Sequence, residues 1–422
     1  MSIAAKPAKS RFRWVICGLL FFATVIAYLD RGVLSYLEKT LEGVIGWNSE
    51  QYSHMTAAFT AAYAIGLVTA GGVTDRLGTR RGFAIAILLW SVAAMAPGAA
   101  YSVATFTFAM FLLGIGEAAN FPACIKTVAE WFPKKERALA TGIFNTGASV
   151  GALAVPVVVP FLTDWFTWRG AFVATGSLGF VWLAAWLLLY DTPKNHARAS
   201  QTELEHIQSD PVESTAAVPW SHLLPVKETW VFALAKFLTD PVWWFYLFWL
   251  PRYLQETFHL DIMQNRLPVI VAYAASMIGG VAGGWLSSVM IRRGWSHNAA
   301  RKTAMLVCAL CVVPVLYAPF AGNLWVVTAL VSLAMAAHQG WSANVFTLAS
   351  DMFPRVAVAS VVGIGGMMGA VGGVLFQLAT GKIVAVTHSY LPLFAICSAV
   401  YVLAMAIVQL MSPKLAAAKL RY

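Results

Sequence analysis

Long apolar runs separated by short polar segments dominate the chain. Twelve runs reach the roughly 20 residues that a helix needs to cross a bilayer, and they cover about residues 14–37, 52–73, 82–101, 103–126, 139–161, 170–190, 228–254, 265–291, 303–321, 323–349, 357–380 and 389–411. Such runs predict helices, because a helix satisfies its own backbone hydrogen bonds, as hydrocarbon requires. The pattern therefore predicts an all-α membrane protein with twelve transmembrane helices.

A polar stretch at residues 191–227 divides these runs into two sets of six. We therefore predict an N-terminal six-helix bundle over residues 1–190, a cytoplasmic central loop over 191–227 and a C-terminal six-helix bundle over 228–422. Motifs repeat between the halves at two offsets. At an offset of 221, Glu130-Trp131-Phe132-Pro133 matches Asp351-Met352-Phe353-Pro354, and Gly151 matches Gly372. At an offset of 212, Gly71-Gly72 with Arg80-Arg81 matches Gly283-Gly284 with Arg292-Arg293. Repeated halves predict a substrate site between them, near the bilayer midplane.

Composition and charge placement agree with a membrane protein. Hydrophobic residues make up 59% of the chain and charged residues 11%, whereas soluble domains carry roughly 25% charged residues. The net charge of +10 follows the positive-inside rule, since 21 of the 29 Lys and Arg residues lie on the side that carries the termini and the central loop. We predict a multi-pass protein of the bacterial inner membrane with both termini cytoplasmic, a retained first helix and no nucleic-acid partner.

The five cysteines, Cys17, Cys124, Cys308, Cys311 and Cys397, all lie in apolar runs, where they are typical of small hydrophobic residues rather than of disulfides. Cys308 and Cys311 have the spacing of a metal-binding pair, but no second pair or histidine accompanies them, so no metal site is predicted. The sequence shows no nucleophile–base pair and no phosphate-binding loop. We therefore expect neither an enzyme nor a cofactor, apart from the proton as coupling ion, and we expect a monomer.

The segment after the second run carries a family motif. It reads Gly71-Gly72-Val73-Thr74-Asp75-Arg76-Leu77-Gly78-Thr79-Arg80-Arg81 and resembles the Gly-x-x-x-Asp-Arg-x-Gly-x-[Arg/Lys]-[Arg/Lys] loop of the major facilitator superfamily. The resemblance implies the two-bundle fold of that superfamily, with Asp75 and Arg76 capping helix ends and bridging the halves while the outer gate is open. Glu130 and Arg137 are predicted to share this gating role. The alternative is a solvated, positively charged loop.

Further segments narrow the resemblance to one branch of that superfamily. They are Tyr28-Leu29-Asp30-Arg31, Gly116-Glu117-Ala118-Ala119-Asn120-Phe121-Pro122, Glu130–Arg137, Phe237–Trp244 with Trp249-Leu250-Pro251, His338-Gln339 and Ser350–Phe353. Together they resemble the anion:cation symporter family and, within it, the bacterial hexuronate transporters. Known hexuronate transporters do not all have an acid before the arginine of the first run, whereas galactonate transporters do.

This resemblance implies proton-coupled import of a sugar-acid anion, galacturonate or glucuronate, by alternating access. Transport or exchange of another organic anion, such as galactonate, is the alternative within the same fold. A nutrient sensor is the other class, and the short central loop without a signalling domain argues against it.

Arg31 is the first candidate for the site. An ionisable group at bilayer depth costs at least about 2.5–3.5 kcal/mol, so it indicates function by default. Tyr28 lies three residues earlier on the same helical face. A guanidinium binds a carboxylate through two parallel bonds and stays charged, so we predict that Arg31 anchors the substrate carboxylate with Tyr28 beside it. The alternative is an arginine that snorkels to the interface.

Two acidic residues are candidates for proton coupling. Glu117 lies near the middle of the fourth run, where desolvation penalises the charged form; the alternative is a buried acid that serves packing. Asp30 adjoins Arg31 and is either its counter-ion or a second proton site. The resemblance implies that both carboxylates take part in coupling.

Other polar positions complete the predicted site. At the repeat offset of 221, Glu117 corresponds to His338, which forms a polar cluster with Gln339, Trp341 and Ser342. We predict that this cluster contacts substrate, although a lone histidine is more often a satisfied core residue. Tyr63 and Asn145 add hydrogen-bonding groups that could instead hold helices together, and the resemblance places a lysine at Lys126.

The seventh run contains a break and a charge pair. Pro241 follows Asp240 and interrupts the helix, because proline lacks an amide donor. Lys236 lies four residues before Asp240 and is expected to pair with it. Trp243 and Trp244 follow, either as faces on which a sugar stacks or as part of the interfacial aromatic belt.

Overall fold

The computed structural model describes residues 11–209, 219–416 and 418, with the side chains of 70–75, 134, 135, 138, 355, 356 and 359 outside the described part. All regular structure in these residues is helical. The α-helices are α1 Phe12–Ile45, α2 Ser49–Leu77, α3 Thr79–Met95, α4 Val103–Glu117, α5 Asn120–Trp131, α6 Lys134–Leu189, α7 Gln201–Ile207, α8 Trp220–Leu223, α9 Lys227–Phe258, α10 Arg266–Arg292, α11 His297–Val312, α12 Leu324–Met352, α13 Arg355–Thr387 and α14 Leu391–Met411. Two 3₁₀ segments, Ala96–Ala99 and Val313–Phe320, extend α3 and α11.

Ten helices in the described part are long and apolar enough to cross a membrane, so the predicted number of twelve is not exact. The difference has two sources. Thr167 has φ 64° and ψ 174° inside α6, so this 56-residue helix contains the two predicted runs at 139–161 and 170–190 on either side of a kink. The predicted run at 52–73 lies in α2, where the side chains of residues 70–75 are outside the described part, so this run is not among the ten.

The two halves repeat in geometry as they do in sequence. Phe132 ends α5 with φ −124° and ψ 135°, and Phe353 ends α12 with φ −117° and ψ 147°. The proline that follows begins the next helix with φ −64° and ψ 153° in the first half, and with φ −62° and ψ 149° in the second. The 221-residue offset therefore relates equivalent turns.

Close helix contacts repeat as well. A Cβ atom on Gly151 of α6 would lie 2.4 Å from the Val25 carbonyl oxygen of α1, and one on Gly372 of α13 would lie 2.3 Å from the Phe237 carbonyl oxygen of α9. Glycine at these two positions lets each helix approach its neighbour's backbone, as in other membrane helix pairs. The helices that carry Arg31 and Lys236 are thus held in equivalent ways within their own bundles.

The start of α1 and the end of α14 lie at one end of the bundles, called here the terminal face; the opposite end is the far face. On the terminal face, helix α7 of the central segment packs on the start of α1. The Glu203 carboxylate accepts hydrogen bonds from the backbone N–H groups of Phe12 and Arg13 at 3.2 and 3.1 Å. Because the first N–H groups of a helix lack partners within it, Glu203 caps α1 and ties α7 to the N-terminal half.

Candidate functional site

Arg31 and Glu117 form a buried ion pair inside the N-terminal half. Arg31 Nε and Nη2 donate to Glu117 Oε2 at 2.9 and 2.6 Å. The two residues lie on α1 and α4, 86 positions apart in the sequence, and are 2% and 0% exposed. The chain positions Glu117 at the last turn of α4: Pro122 has no N–H to bond the Ala118 carbonyl, and the helix is interrupted before α5 begins at Asn120.

Four aromatic rings surround the Arg31 guanidinium. Its central carbon lies 4.2 Å from the Tyr28 ring centroid and 5.3 Å from those of Phe59 and Tyr63. The fourth ring, Trp244, lies at 5.8 Å and belongs to α9 of the other half. Aromatic faces attract a cation within about 6 Å, so both bundles contribute to the environment of this arginine.

Asp30 is 3% exposed, and neither of its carboxylate oxygens has a hydrogen-bond partner in the part of the chain that the structure describes. The counter-ion that the structure gives to Arg31 is therefore Glu117. Glu117 itself keeps one unpartnered oxygen, Oε1, within the same described part. Burying a carboxylate oxygen without a hydrogen-bond partner is costly, so both acids are candidates to hold a proton.

The C-terminal half contains a second polar group of residues, centred on His338. The His338 ring stacks on Trp243 at 5.4 Å with an interplanar angle of 11°, and His338 Nδ1 lies 2.5 Å from the Tyr401 hydroxyl. Trp243 therefore has one ring face occupied by a side chain, while Trp244 faces Arg31. The predicted Lys236–Asp240 pair is confirmed, with Nζ 2.7 Å from Oδ2.

The other predicted binding residues are distributed around this centre. Lys126, Gln339 and Ser342 are half-buried and Asn145 is exposed on α6. Trp341 is fully buried against Tyr401, with ring centroids 5.6 Å apart. Their contact with substrate stays a prediction.

The predicted gating residues lie on the terminal face, and their role also stays a prediction. The side chain of Asp75 lies outside the described residues, and Arg76 is exposed. Glu130 accepts hydrogen bonds from Thr79 and Tyr190, and Arg137 donates to the carbonyls of Phe132 and Ala129, which end α5. All of these partners belong to the N-terminal half.

An ionic network on the far face joins the two halves, and the sequence analysis did not foresee it. Its members are Glu38, Lys39, Glu42 and Ser49 of the N-terminal half with Arg252 and Glu256 of α9, and we call it the Arg252 network. Arg252 is 3% exposed and bonds Glu38, Glu42 at 3.2 Å, Ser49 at 2.8 Å and Glu256 at 2.9 Å. Lys39 adds a bridge to Glu256 at 3.1 Å. In contrast, the described ion pairs on the terminal face do not join the two bundles: Arg301–Asp351 lies within the C-terminal half, and Arg80–Asp191 connects the N-terminal half to the start of the central segment.

Backbone carbonyls of α9 complete this closure. Pro251 has no N–H to bond the Leu247 carbonyl four residues earlier, and the Ser35 hydroxyl of α1 donates to that oxygen at 2.7 Å. The next carbonyl, of Phe248, accepts from the Tyr52 hydroxyl of α2 at 2.7 Å. The proline in α9 thus supplies an acceptor to the opposite half.

Sequence signals for these missed residues were weak. Glu38 and Arg252 occur where a helix approaches a loop, a position typical of solvated charges. Phe59 resembles any apolar residue of a membrane helix. The one usable signal is the i, i+4 spacing of Arg252 and Glu256, which is common on helix surfaces. Among the described residues, no group of three or more His, Cys, Asp or Glu side chains could hold a metal ion.

The structure contains two repeated helical bundles, and aromatic rings from both bundles lie beside a buried charge pair. This arrangement is that of a secondary membrane transporter rather than of an enzyme. The chain belongs to the Major Facilitator Superfamily, whose family model matches residues 20–377. The motif at residues 71–81 lies within this range.

The relatives cover most of the chain. The hexuronate transporter of Escherichia coli K12 is 32% identical over 91% of this chain and 90% of its own length. The galacturonate transporter of Dickeya chrysanthemi is 32% identical over 71% of this chain and 89% of its own. Among solved structures, a bacterial homologue of the human lysosomal transporter Spinster superposes with a TM-score of 0.75 at 17% identity, covering 96% of this chain and 98% of the other.

Proposed function

We propose that this protein is a proton-coupled symporter that imports hexuronates, galacturonate or glucuronate, across the bacterial inner membrane. The buried Arg31–Glu117 pair is the observation that carries the proposal, because it offers one cation to either of two carboxylates. The 32% identity to a hexuronate transporter and to a galacturonate transporter supports the substrate class.

Coupling follows from competition for Arg31. While Glu117 is ionised, its carboxylate occupies the guanidinium at 2.6 Å. A proton on Glu117 removes that charge, and the substrate carboxylate then becomes the anion that neutralises Arg31. Breaking a buried ion pair without replacement costs about 3–5 kcal/mol, so proton and substrate bind together more readily than either binds alone. Asp30, buried and unpaired nearby, is a candidate for a second proton.

The far face corresponds to the periplasm if the terminal face is cytoplasmic, as the positive-inside rule predicts. In this structure the Arg252 network and the two α9 carbonyls join the halves on that side, so the site would be closed to the periplasm. The proposed cycle breaks these contacts to admit substrate and re-forms them before release to the cytoplasm.

Uptake into proteoliposomes tests the proposal, with galacturonate, glucuronate and galactonate offered with and without an inward proton gradient. Wild-type protein is expected to accumulate a hexuronate only with the gradient. Glu117→Gln should bind substrate without gradient-driven accumulation, and Arg31→Ala should lose both. Arg169→Ala is a matched control, since Arg169 also lies 4.2 Å from an aromatic ring, Trp168, but is exposed and outside the site.

Accumulation by Glu117→Gln against a substrate gradient would overturn the coupling role. Transport of galactonate but of neither hexuronate would show that the proposed substrate is wrong, while the proposed symport mechanism would still hold. Counterflow that ignores the proton gradient would instead identify an exchanger.

A further inference from the structure

The ion pair between Lys236 and Asp240 has no part in the mechanism above. Both residues lie inside the apolar length of α9; Lys236 is buried and Asp240 is half-buried, with side chains 8% and 18% exposed. A charge pair at this depth is expensive to keep unless it serves the site. Its position relative to Arg31 is therefore informative.

Lys236, Asp240 and Trp244 follow one another at intervals of four residues and share one face of α9. Trp244 on that face lies 5.8 Å from the Arg31 guanidinium. With a rise of 1.5 Å per residue, Asp240 and Lys236 lie about 6 and 12 Å further toward the terminal face. An extended six-carbon chain has a comparable length, so a sugar acid held by its carboxylate on Arg31 would extend toward this pair.

The surroundings of the pair leave room for its charges. A Cβ atom on Gly369 of α13 would lie 2.2 Å from Asp240 Oδ2, so glycine at this position is what allows the carboxylate to pack there. Lys236 Nζ lies 4.5 Å from the ring centroid of Phe346 on α12, a ring that is itself exposed. The pair is thus held between α12 and α13, with the partial exposure on Asp240.

The charges of the two centres indicate what the substrate must carry. With Glu117 protonated, Arg31 presents one positive charge and matches one carboxylate. Lys236 is already neutralised by Asp240, so a second substrate carboxylate would enter without a counter-charge, next to the Asp240 anion. We propose that Lys236 and Asp240 form a neutral distal subsite, which binds sugar hydroxyls and restricts the transporter to acids with a single carboxylate. This inference rests on the proposed transport of sugar acids.

The test compares galacturonate, with one carboxylate, and glucarate, a six-carbon sugar diacid, in the same proteoliposome assay. Wild-type protein should prefer galacturonate. Asp240→Asn frees the Lys236 charge and should raise the ratio of glucarate to galacturonate uptake by about tenfold or more, since like-charge repulsion is replaced by attraction. Asp240→Glu keeps the charge and should keep the wild-type ratio.

The double variant Lys236→Gln/Asp240→Asn removes both charges at once, which leaves the subsite neutral and should also retain preference for galacturonate. A structural role for the pair predicts instead that Asp240→Asn lowers uptake of both acids in equal proportion, and this result would overturn the subsite. Equal uptake of glucarate and galacturonate by wild type would overturn it too, while sugar-acid transport stands. If wild type takes up none of galacturonate, glucuronate and glucarate, the proposed function is refuted and the subsite with it.

Discussion

Arg31 contacts Glu117 through a single carboxylate oxygen. Both Nε and Nη2 donate to Oε2, at 2.9 and 2.6 Å, while Oε1 has no partner among the described residues. A guanidinium binds a carboxylate best when two parallel bonds reach its two oxygens. A substrate carboxylate that takes this fork would therefore displace Glu117 with better hydrogen-bond geometry than Glu117 itself has.

Arg31→Lys tests this geometry. Lysine keeps the charge but cannot form the fork, and we expect the apparent KM for a hexuronate to rise about tenfold or more, the equivalent of about 1.4 kcal/mol. Arg169→Lys is the control and should leave KM unchanged. An unchanged KM in Arg31→Lys would mean that charge alone anchors the substrate.

The ring that α9 contributes gives a second prediction. Cation–π contacts are worth about 0.5–2 kcal/mol, so Trp244→Ala should weaken substrate uptake by a few-fold to about thirtyfold in KM, because the guanidinium gains water and loses orientation. Trp244→Phe keeps a ring and should lose less. Equal losses in the two variants would argue that Trp244 acts through its bulk.

The Arg252 network predicts which way the equilibrium between conformations moves. Arg252→Ala removes the cation that Glu38 and Glu42 share and should favour the state open at the far face, because it breaks the buried pair with Glu38, which is worth about 3–5 kcal/mol. The measurement is maleimide labelling of Thr60→Cys, a position that is 0% exposed, in a background without other cysteines. We expect labelling to increase at least about tenfold.

Arg80→Ala is the matched control for that experiment, because its pair with Asp191 is exposed and does not join the two bundles. It should leave the labelling rate as in wild type. Labelling that stays low in Arg252→Ala would show that the network contributes nothing to closure.

Pro251→Ala provides an independent test of closure. Alanine returns an N–H that can bond the Leu247 carbonyl within α9, in competition with the Ser35 hydroxyl. Since a hydrogen bond contributes about 0.5–1.5 kcal/mol, both Pro251→Ala and Ser35→Ala should raise Thr60→Cys labelling about two- to tenfold. If Ser35→Ala alone had an effect, the proline would not be the source of the acceptor.

The docking of α7 on the terminal face should depend on pH. Burial raises the pKa of the Glu136 carboxyl, but hydrogen bonds and charge from Arg13 and His206 outweigh this effect and hold the pKa below its ordinary value of 4.5. A lowered pKa contributes stability above pH 4.5, and this contribution is lost as the pH falls through the value in the folded protein. Hydrogen exchange of the α7 amides should therefore show weaker docking under acid conditions, and Glu136→Gln should show weaker docking at neutral pH with a smaller acid effect.

The sequence predicted the helices well where apolar runs end in polar loops. The predicted run at 265–291 corresponds to α10 Arg266–Arg292, and the predicted run at 323–349 corresponds to α12 Leu324–Met352. The first run was predicted to end at 37, but α1 continues to Ile45. Glu38 and Lys39 resembled a loop because their partners, Arg252 and Glu256, come from the other half and cannot be identified from local pattern.

The same distinction separates the parts of the site. The Lys236–Asp240 pair was predictable, since both residues lie on one helix at a spacing of four. The contact between Arg31 and Glu117 was not, although both residues were singled out, because it depends on how α1 and α4 pack. The roles of Phe59 and Trp244 around Arg31 depend on packing in the same way.

The acceptors of the Ser35 and Tyr52 hydroxyls are main-chain atoms, which every amino acid supplies. Positions 247 and 248 could therefore change among apolar residues during evolution without removing this contact between the halves. Position 251 could not change in this way, because proline contributes through the absence of a backbone N–H, which leaves the carbonyl of residue 247 free to accept. In a lineage that kept the contact, the trace would be a retained proline and two retained hydroxyls, while the residues that accept the bonds would be free to vary.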